Sequence, residues 1–169
     1  TVAALCCWCR CALYVALAGV GCVSSRRMSH EIRSRPIVNS GSEELKRRGL
    51  PPIYAGEAIS ALAITEPGGG SDVAALKTTA KRDGDHYIVN GSNTSITSGM
   101  RADTYTVAVR TVAARHKRIS QPVLDRDTPG LTRISLGRKS GRVCSGTATG
   151  AFEQCGSAGG HRWRGGRTG

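Results

Sequence analysis

Short stretches in which apolar and polar residues alternate run through the middle of the 169-residue chain. The clearest is Thr104–Val112, "TYTVAVRTV", and this period of two is typical of a β-strand with one buried face. Lys77–Arg82 and His86–Asn90 have a similar pattern and are joined by Asp83-Gly84-Asp85. Asp-Gly between two such stretches is a hairpin signal, so we predict an antiparallel pair there.

Turn residues divide the remaining strand-like segments. Ile59–Ile64 is a short apolar run, and Asn90-Gly91 predicts a turn before a further strand at Asn93–Thr97. The turn sequence Asp127-Thr128-Pro129-Gly130 lies between the segments 121–125 and 131–135. Together these segments predict an antiparallel, β-barrel-like domain over residues 58–155.

Two helices are predicted ahead of that domain. Residues 1–24 are apolar enough for one buried helix. A second is expected over Ser40–Leu50, with Ser40 and Glu43 at capping-box spacing and Pro51-Pro52 ending it. The predicted class is therefore α+β, with a helical segment at 1–57, the β domain at 58–155 and a disordered Gly/Arg-rich tail at 156–169.

The net charge of +12 would suit a nucleic-acid-binding protein. Its distribution argues against this, because eight basic and eight acidic residues balance between Asn39 and Arg110. The excess lies in the flanks, so binding of nucleic acid through the tail is kept only as an alternative. The apolar segment Cys11–Val23 is too short to span a bilayer, although the core of a signal peptide is a second interpretation.

Seven cysteines do not form a zinc pattern. Four of them lie within "CCWCRC", where the spacing does not provide two ligand pairs, and Cys144 and Cys155 have no matching partners nearby. We expect no metal site and reduced thiols.

The segment Thr65–Asp72, "TEPGGGSD", is the strongest candidate for binding chemistry. Consecutive glycines after a strand leave backbone N–H groups accessible to an anion, and Ser71 adds a hydroxyl. The segment has neither the Gly-Lys-Ser/Thr of a phosphate-binding loop nor Gly-x-Gly-x-x-Gly. A flexible loop without a ligand therefore stays open as an explanation on these residues alone.

"AITEPGGGSDVAA" (Ala63–Ala75) resembles the first signature of the acyl-CoA dehydrogenase family. The resemblance continues through "KTTAKRDGDHYIVNGSNTSITSG" (Lys77–Gly99), which is similar to the family's next hairpin and its "NG-x-K-x-aromatic-I-T" strand. "VLDRDTPGLTR" (Val123–Arg133) is similar to a later turn, and "RPIVNSGSEELKRRGLPPIYAGE" (Arg35–Glu57) to the helix before the β domain. The match is faint from Ile134 to Cys155 and ends there.

This resemblance implies that the β domain holds FAD with an acyl-CoA thioester against the flavin. By their place in the motifs, Ile64, Thr65, Ile96 and Thr97 would lie along the flavin ring. Gly70 and Ser71 would lie near the FAD phosphates, with Ser71 also near the CoA arm of the substrate. The implied reaction is α,β-dehydrogenation of an acyl-CoA, as in fatty acid β-oxidation, with FAD as the hydride acceptor.

The family pattern is not complete in this chain. Ser95 stands where the family has an aromatic residue, and Asn93 stands where it has Lys. The helical domain that carries the catalytic Glu is expected to be absent, so we assign no catalytic residue and expect a fragment that is inactive alone. Glu66 is interpreted as a structural carboxylate of the loop rather than as the base.

The resemblance also implies partners and location for the intact enzyme. It would act on acyl-CoA, pass electrons to an electron-transfer flavoprotein, form a homo-oligomer, and work in the bacterial cytoplasm or the mitochondrial matrix, without nucleic acid or membrane. A related acyl-CoA oxidase or flavin monooxygenase is the alternative within this scaffold. The weak match of residues 1–11 and 134–169 suggests coding sequence read out of frame.

Overall fold

The computed structural model describes residues 25–84, 86–111, 119–137 and 146–157. Contacts divide the chain into residues 1–32 and 33–169, and only the backbone at the start of one helix is described in the first of these units. Everything below concerns the second unit. The predicted helix at 1–24, the "CCWCRC" cysteines and the tail beyond Ser157 lie outside the described residues.

Two helices precede the sheets, α1 (Ser25–Ser40) and α2 (Glu43–Ala55). The helical character predicted ahead of the β domain is confirmed, but both predicted ends of the second helix are wrong. Ser42 rather than Ser40 is the N-cap, since its hydroxyl accepts a hydrogen bond from the N–H of Leu45 at 3.2 Å.

Pro51 and Pro52 do not end α2. The helix continues because Ile53, one turn further on, is buried with Leu45, Ile37 and Val123. It ends at Gly56 instead, whose φ of 80° is left-handed. The N–H groups of Gly56 and Glu57 bond the carbonyls of Ile53 and Pro52, which is the Schellman arrangement that satisfies the last turn of a helix.

Nine strands form two sheets in the described part of the chain. Their bounds are β1 Ser60–Ala63, β2 Thr79–Asp83, β3 His86–Thr97, β4 Thr104–Val107, β5 Val109–Thr111, β6 Ile119–Ser120, β7 Val123–Asp125, β8 Leu131–Ser135 and β9 Thr147–Ser157. The first sheet has the order β1-β4-β7 and the second the order β6-β5-β2-β3-β9-β8. The α+β class is confirmed.

Most of the strand pairs are antiparallel, including the predicted hairpin β2–β3. Two pairs are parallel, β1 with β4 and β2 with β5. In both pairs the partner strand belongs to one extended segment, β4 and β5, which passes from the first sheet to the second at Ala108. The single strand predicted over Thr104–Val112 is therefore two strands, and Val112 itself lies outside the described residues.

The core lies between the two sheets. Its buried residues come from both: Ala61, Ala63, Ala80, Val89, Ile96, Ala102, Tyr105, Val107, Val109, Leu124, Phe152 and Cys155. The first sheet also packs on the helices through Val123. Alternation along β7 explains this, since Val123 and its neighbour Leu124 point to opposite faces of the sheet.

Asn90-Gly91 is not a turn. Residues 86–97 form one strand whose register against β9 shifts between Val89 and Gly91 and again between Asn93 and Ile96. Gly91 has a φ of 149°, and a Cβ placed on it would lie 2.6 Å from Thr78 Oγ1. The glycine therefore permits a bulge and a close approach of two chain segments rather than a reversal.

The strand β9 corrects the predicted start of the disordered tail. It lies between β3 and β8, and Phe152 and Cys155 on it belong to the core. Gly156 and Ser157, assigned by sequence to the disordered tail, pair with Ile88 and Tyr87 as the end of this strand. None of the helices within the described residues is long and apolar enough to cross a bilayer.

Candidate functional site

Thr65 follows β1 and is fixed against the neighbouring sheet. Its carbonyl accepts a hydrogen bond from the N–H of Thr94 at 2.7 Å and another from Asn93 Nδ2 at 3.1 Å. Asn93 is completely buried, and its Oδ1 has no partner within the described residues. The hydroxyl of Thr65 takes part in no hydrogen bond within the same residues, so it is available to a ligand.

The glycine-rich loop turns back directly after Thr65. Glu66 and Gly69 bond each other through both backbone groups, at 3.0 and 3.1 Å, so Pro67-Gly68 forms a tight reversal. Gly70 then passes close to Thr65, since a Cβ on Gly70 would lie 3.0 Å from Thr65 Cγ2. A side chain at position 70 would press on the threonine that is the candidate flavin contact.

Several backbone donors of this loop have no protein partner in the part of the chain that the structure describes. Within the described residues, the N–H groups of Gly68, Gly70 and Ser71 have no hydrogen-bond acceptor. All residues from 67 to 75 are exposed. The loop therefore presents N–H groups and the Ser71 hydroxyl to solvent, a donor set that suits an anion.

Glu66 closes the base of the loop. Its Oε1 accepts hydrogen bonds from the N–H groups of Lys77 and Thr78 at 2.9 and 2.6 Å and from Thr78 Oγ1 at 2.6 Å, while Oε2 also accepts from Lys77 at 2.9 Å. Partial burial, which raises the pKa of Glu66, is outweighed by the hydrogen bonds from Thr78 and Lys77, so its pKa lies below the ordinary value. These bonds give Glu66 a structural role at the base of the loop.

Arg110 holds the other side of the loop and was missed by sequence reasoning. From β5 its Nε donates to the carbonyl of Leu76 at 3.0 Å, and its terminal nitrogen donates to the carbonyl of Ala74. Asp72, earlier in the same loop, caps the short 3-10 helix Val73–Ala75, because its side chain accepts a hydrogen bond from the N–H of Ala74 at 3.1 Å. One sequence signal could have indicated Arg110, because this arginine lies within the regular apolar alternation of Thr104–Val112.

Ile96 and Thr97 end β3 after the second register shift. Ser95, at the shift, is exposed and has a φ of 56°, an uncommon conformation for a residue other than glycine. The side chain of Ile96 is only 1% exposed and packs in the core, so this residue can reach a ligand only through its backbone. The Thr97 hydroxyl forms no hydrogen bond within the described residues.

Ser98 links this strand end to α1. Arg33 is 6% exposed and donates to Ser98 Oγ at 3.2 Å, and burial lowers the pKa of its guanidinium. The backbone carbonyl of Ser98 accepts from the N–H groups of Arg101 and Ala102, both at 2.9 Å. Sequence reasoning missed Arg33, because a buried cation leaves no periodic signal.

The structure thus brings some of the predicted site residues together. Ile64 and Thr65 run beside β3 at Asn93 and Thr94, three residues before Thr97 on the same strand. Gly70 lies against Thr65. Ser71 lies further out in the exposed loop, and within the described residues no hydrogen bond joins it to β3. No cluster of potential metal ligands occurs in these same ranges, and Cys155 is a buried free thiol.

Comparison with known proteins identifies this arrangement. The family model for the acyl-CoA dehydrogenase middle domain matches residues 61–155. The chain belongs to the acyl-CoA dehydrogenase family. The matched range contains all six residues predicted to lie at the cofactor, and it extends through β9. The suggestion that residues 134–155 are out-of-frame sequence is therefore wrong, because the family match covers them and residues 147–155 belong to β9, which pairs with β3 and β8.

Individual relatives agree with this membership. The mitochondrial isobutyryl-CoA dehydrogenase of Dictyostelium discoideum is 41% identical over 116 residues, which cover 68% of this chain and 28% of the relative. A probable acyl-CoA dehydrogenase from Mycobacterium abscessus has a TM-score of 0.74 at 42% identity, over 80% of this chain and 36% of that one. This chain therefore spans about a third or less of the length of these relatives.

One solved relative was crystallised with a flavin. It is a glutaryl-CoA dehydrogenase from Mycobacterium smegmatis in complex with FADH2, with a TM-score of 0.68 and 35% identity over 75% of this chain and 32% of that chain. Flavin binding is thus found in a protein of the same fold and family.

Proposed function

We propose that this chain provides the FAD-binding middle domain of an acyl-CoA dehydrogenase that introduces an α,β double bond into an acyl-CoA thioester. The observation that carries the proposal is the placement of Thr65. Its carbonyl is fixed to β3 by two hydrogen bonds, while its hydroxyl is left for a ligand. A backbone fixed in one position next to an unused side-chain hydroxyl is what a cofactor site requires.

The donor set of the loop fits a flavin dinucleotide. The N–H groups of Gly70 and Ser71 and the Ser71 hydroxyl would donate to phosphate oxygens, and Ser71 would also lie near the CoA arm. Ile64 and Thr65 would lie along the isoalloxazine ring, and the hydroxyl of Thr97 would hydrogen-bond its edge. When bound, FAD supplies the hydride acceptor for the reaction, and these residues orient it.

Ser95 is expected to give this site a lower affinity for flavin than the aromatic residue of the family pattern would. An aromatic residue at position 95 would offer the flavin a face to stack on, and Ser95 is exposed and small. Loss of such a contact costs on the order of 1–3 kcal/mol of binding. We therefore expect measurable but weak FAD binding.

The rest of the reaction is proposed for a longer enzyme of which this chain would be the middle part. There the substrate would be an acyl-CoA, an electron-transfer flavoprotein would accept the electrons, and the enzyme would be a homo-oligomer in the mitochondrial matrix or the bacterial cytoplasm. Among the described residues we assign no carboxylate as the base that removes the α-proton. Glu66 cannot serve readily, because both its oxygens accept hydrogen bonds from the loop.

Binding of FAD tests the proposal directly. Titration of the purified chain with FAD, followed by quenching of flavin fluorescence, should give saturable binding. Thr65→Val and Thr97→Val each remove one hydroxyl with little change of shape, and each should weaken binding about fivefold, the effect of one hydrogen bond of about 1 kcal/mol. Thr132→Val on the exposed face of β8 is the matched control and should bind as the wild type does.

Two results would contradict the proposal. One is a folded wild-type chain that does not quench flavin fluorescence at any FAD concentration tested. The other is an equal loss of affinity in Thr65→Val, Thr97→Val and Thr132→Val, which would indicate a general effect on the sheet rather than a flavin contact.

A further inference from the structure

We propose that Glu66 and Arg110 are positioning residues for the glycine-rich loop. They fix the base of the loop from two sides, so that Gly70 and Ser71 present their donors in one orientation to the diphosphate of a flavin dinucleotide. Neither residue belongs to the set expected to contact the cofactor. The inference rests on the proposed function, because only FAD binding would place a diphosphate at this loop.

The loop has no buried core that would hold it in one conformation. Every residue from 67 to 75 is exposed, so the segment has no buried side chain of its own. The first buried residue after it is Leu76, at 5% exposure. A nine-residue segment without a core would sample many conformations, and ordering it on ligand binding would cost affinity.

Glu66 joins the start of the loop to its end. Its two oxygens accept from the backbone N–H groups of Lys77 and Thr78, eleven and twelve residues further along the chain, and from the Thr78 hydroxyl. Hydrogen bonds to a carboxylate are stronger than neutral ones. This single side chain therefore closes the ring of backbone that contains Gly70 and Ser71.

Arg110 fixes the second half of the loop to the sheet. Its backbone N–H donates to the carbonyl of Thr78 at 2.8 Å as part of the β5–β2 region. Its side chain donates to the carbonyls of Leu76 and Ala74. A planar guanidinium can reach two carbonyls at once from one position, which the single amine of a lysine does not reproduce.

Conservative variants separate positioning from charge. Glu66→Gln keeps the shape but places an amide donor against the N–H of Lys77. Arg110→Lys keeps the charge but loses the planar guanidinium that reaches two carbonyls at once. Glu57→Gln and Arg47→Lys carry the same chemical changes at exposed positions of the chain and are the matched controls.

The first measurement needs no flavin. Amide hydrogen exchange of the unliganded 169-residue chain should be at least about tenfold faster at Lys77 and Thr78 in Glu66→Gln than in the wild type. Arg110→Lys should increase the rate at which thermolysin cuts within residues 67–75. Exchange at Val89 and Phe152, in the centre of the large sheet, should stay unchanged in both variants, as should all sites in the controls.

The second measurement compares two ligands. FAD carries the diphosphate and riboflavin does not, so a loop that positions phosphate donors affects only the first. Glu66→Gln and Arg110→Lys should weaken FAD binding about tenfold and leave riboflavin binding unchanged. The controls should bind both ligands as the wild type does.

The outcomes separate the positioning role of Glu66 and Arg110 from the proposed binding of FAD. Unchanged exchange and proteolysis would overturn the inference, because the loop would not depend on these side chains. Faster exchange with equal losses of FAD and riboflavin binding would also overturn it, showing a merely structural role. A wild type that binds neither ligand would contradict the proposed function, and the phosphate-positioning role would fall with it, whereas the exchange result would still show what fixes the loop.

Discussion

Single glycines serve two different purposes in this chain. Gly68 lies at the tip of the loop, where a Cβ would meet no atom within 4 Å. Gly130 ends the turn 127–130 with a φ of 83°, and a Cβ on it would lie 1.9 Å from the backbone oxygen of Glu153. The first position is open to a side chain and the second is not.

Gly130→Ala should therefore destabilise the domain, and Gly68→Ala should not. The substitution at 130 combines a left-handed conformation with a clash against backbone, so we expect a loss of about 2–4 kcal/mol in the free energy of unfolding. Urea denaturation followed by circular dichroism measures this. Gly68→Ala should change the value by less than about 0.5 kcal/mol. Equal stabilities for the two variants would show that β9 does not pass Gly130 as described.

The ionisation of Glu66 predicts a dependence of stability on acid pH. Its pKa is lowered in the folded state, so the stabilisation is complete above the ordinary glutamate pKa of 4.5 and is lost as the pH falls through the lower folded value. Unfolding free energy should decrease over this window in the wild type. Glu66→Gln, which does not titrate, should show a shallower decrease, while Glu57→Gln should follow the wild type. Parallel curves for wild type and Glu66→Gln would refute the assignment.

At the scale of elements, local turn chemistry was predictable from the sequence and tertiary packing was not. The hairpin β2–β3 was predicted correctly, because Asp-Gly between alternating segments acts through its own backbone. The prediction that Pro51-Pro52 end the second helix was wrong, because the burial of Ile53 continues the helix past them. The passage of one segment between sheets at Ala108 was not predictable, because apolar alternation is the same in either sheet.

The contribution of β9 can be tested by one side chain. Phe152 is 1% exposed in the core between the sheets, at a strand whose family resemblance was faint in the sequence. Phe152→Ala should lower the free energy of unfolding by about 3–5 kcal/mol, the usual cost of removing a buried aromatic ring. Glu153→Ala, at the exposed neighbouring position, should have little effect. If both variants unfolded like the wild type, residues 147–157 would not be part of the folded domain.

For the whole molecule, motifs in the sequence predicted the candidate site residues but not the residues that support them. Thr65 and Thr97 were identified through the motifs they belong to, and the structure places Thr65 beside the strand that carries Thr97. Arg110 and Arg33 were not found, since their roles depend on distant backbone carbonyls and on a serine that no motif links to them. Supporting residues of this kind follow from the fold rather than from the motif.

Catalysis requires more than this site, and we expect the 169-residue chain alone not to dehydrogenate an acyl-CoA. A general base typically contributes about 10²–10⁴ to the rate, and Glu66, at the base of the candidate loop, already accepts hydrogen bonds through both oxygens. The test is to mix the chain with FAD and a series of acyl-CoA thioesters without oxygen and to follow the flavin absorbance. A full-length acyl-CoA dehydrogenase in the same assay is the positive control and should bleach rapidly. Rapid bleaching by this chain would show that a carboxylate within it removes the α-proton. Glu66→Gln and Arg110→Lys, both measured at saturating FAD, would then test Glu66 as the base, since loss of bleaching in Glu66→Gln alone, with Arg110→Lys and Glu57→Gln unaffected, would assign the role to Glu66.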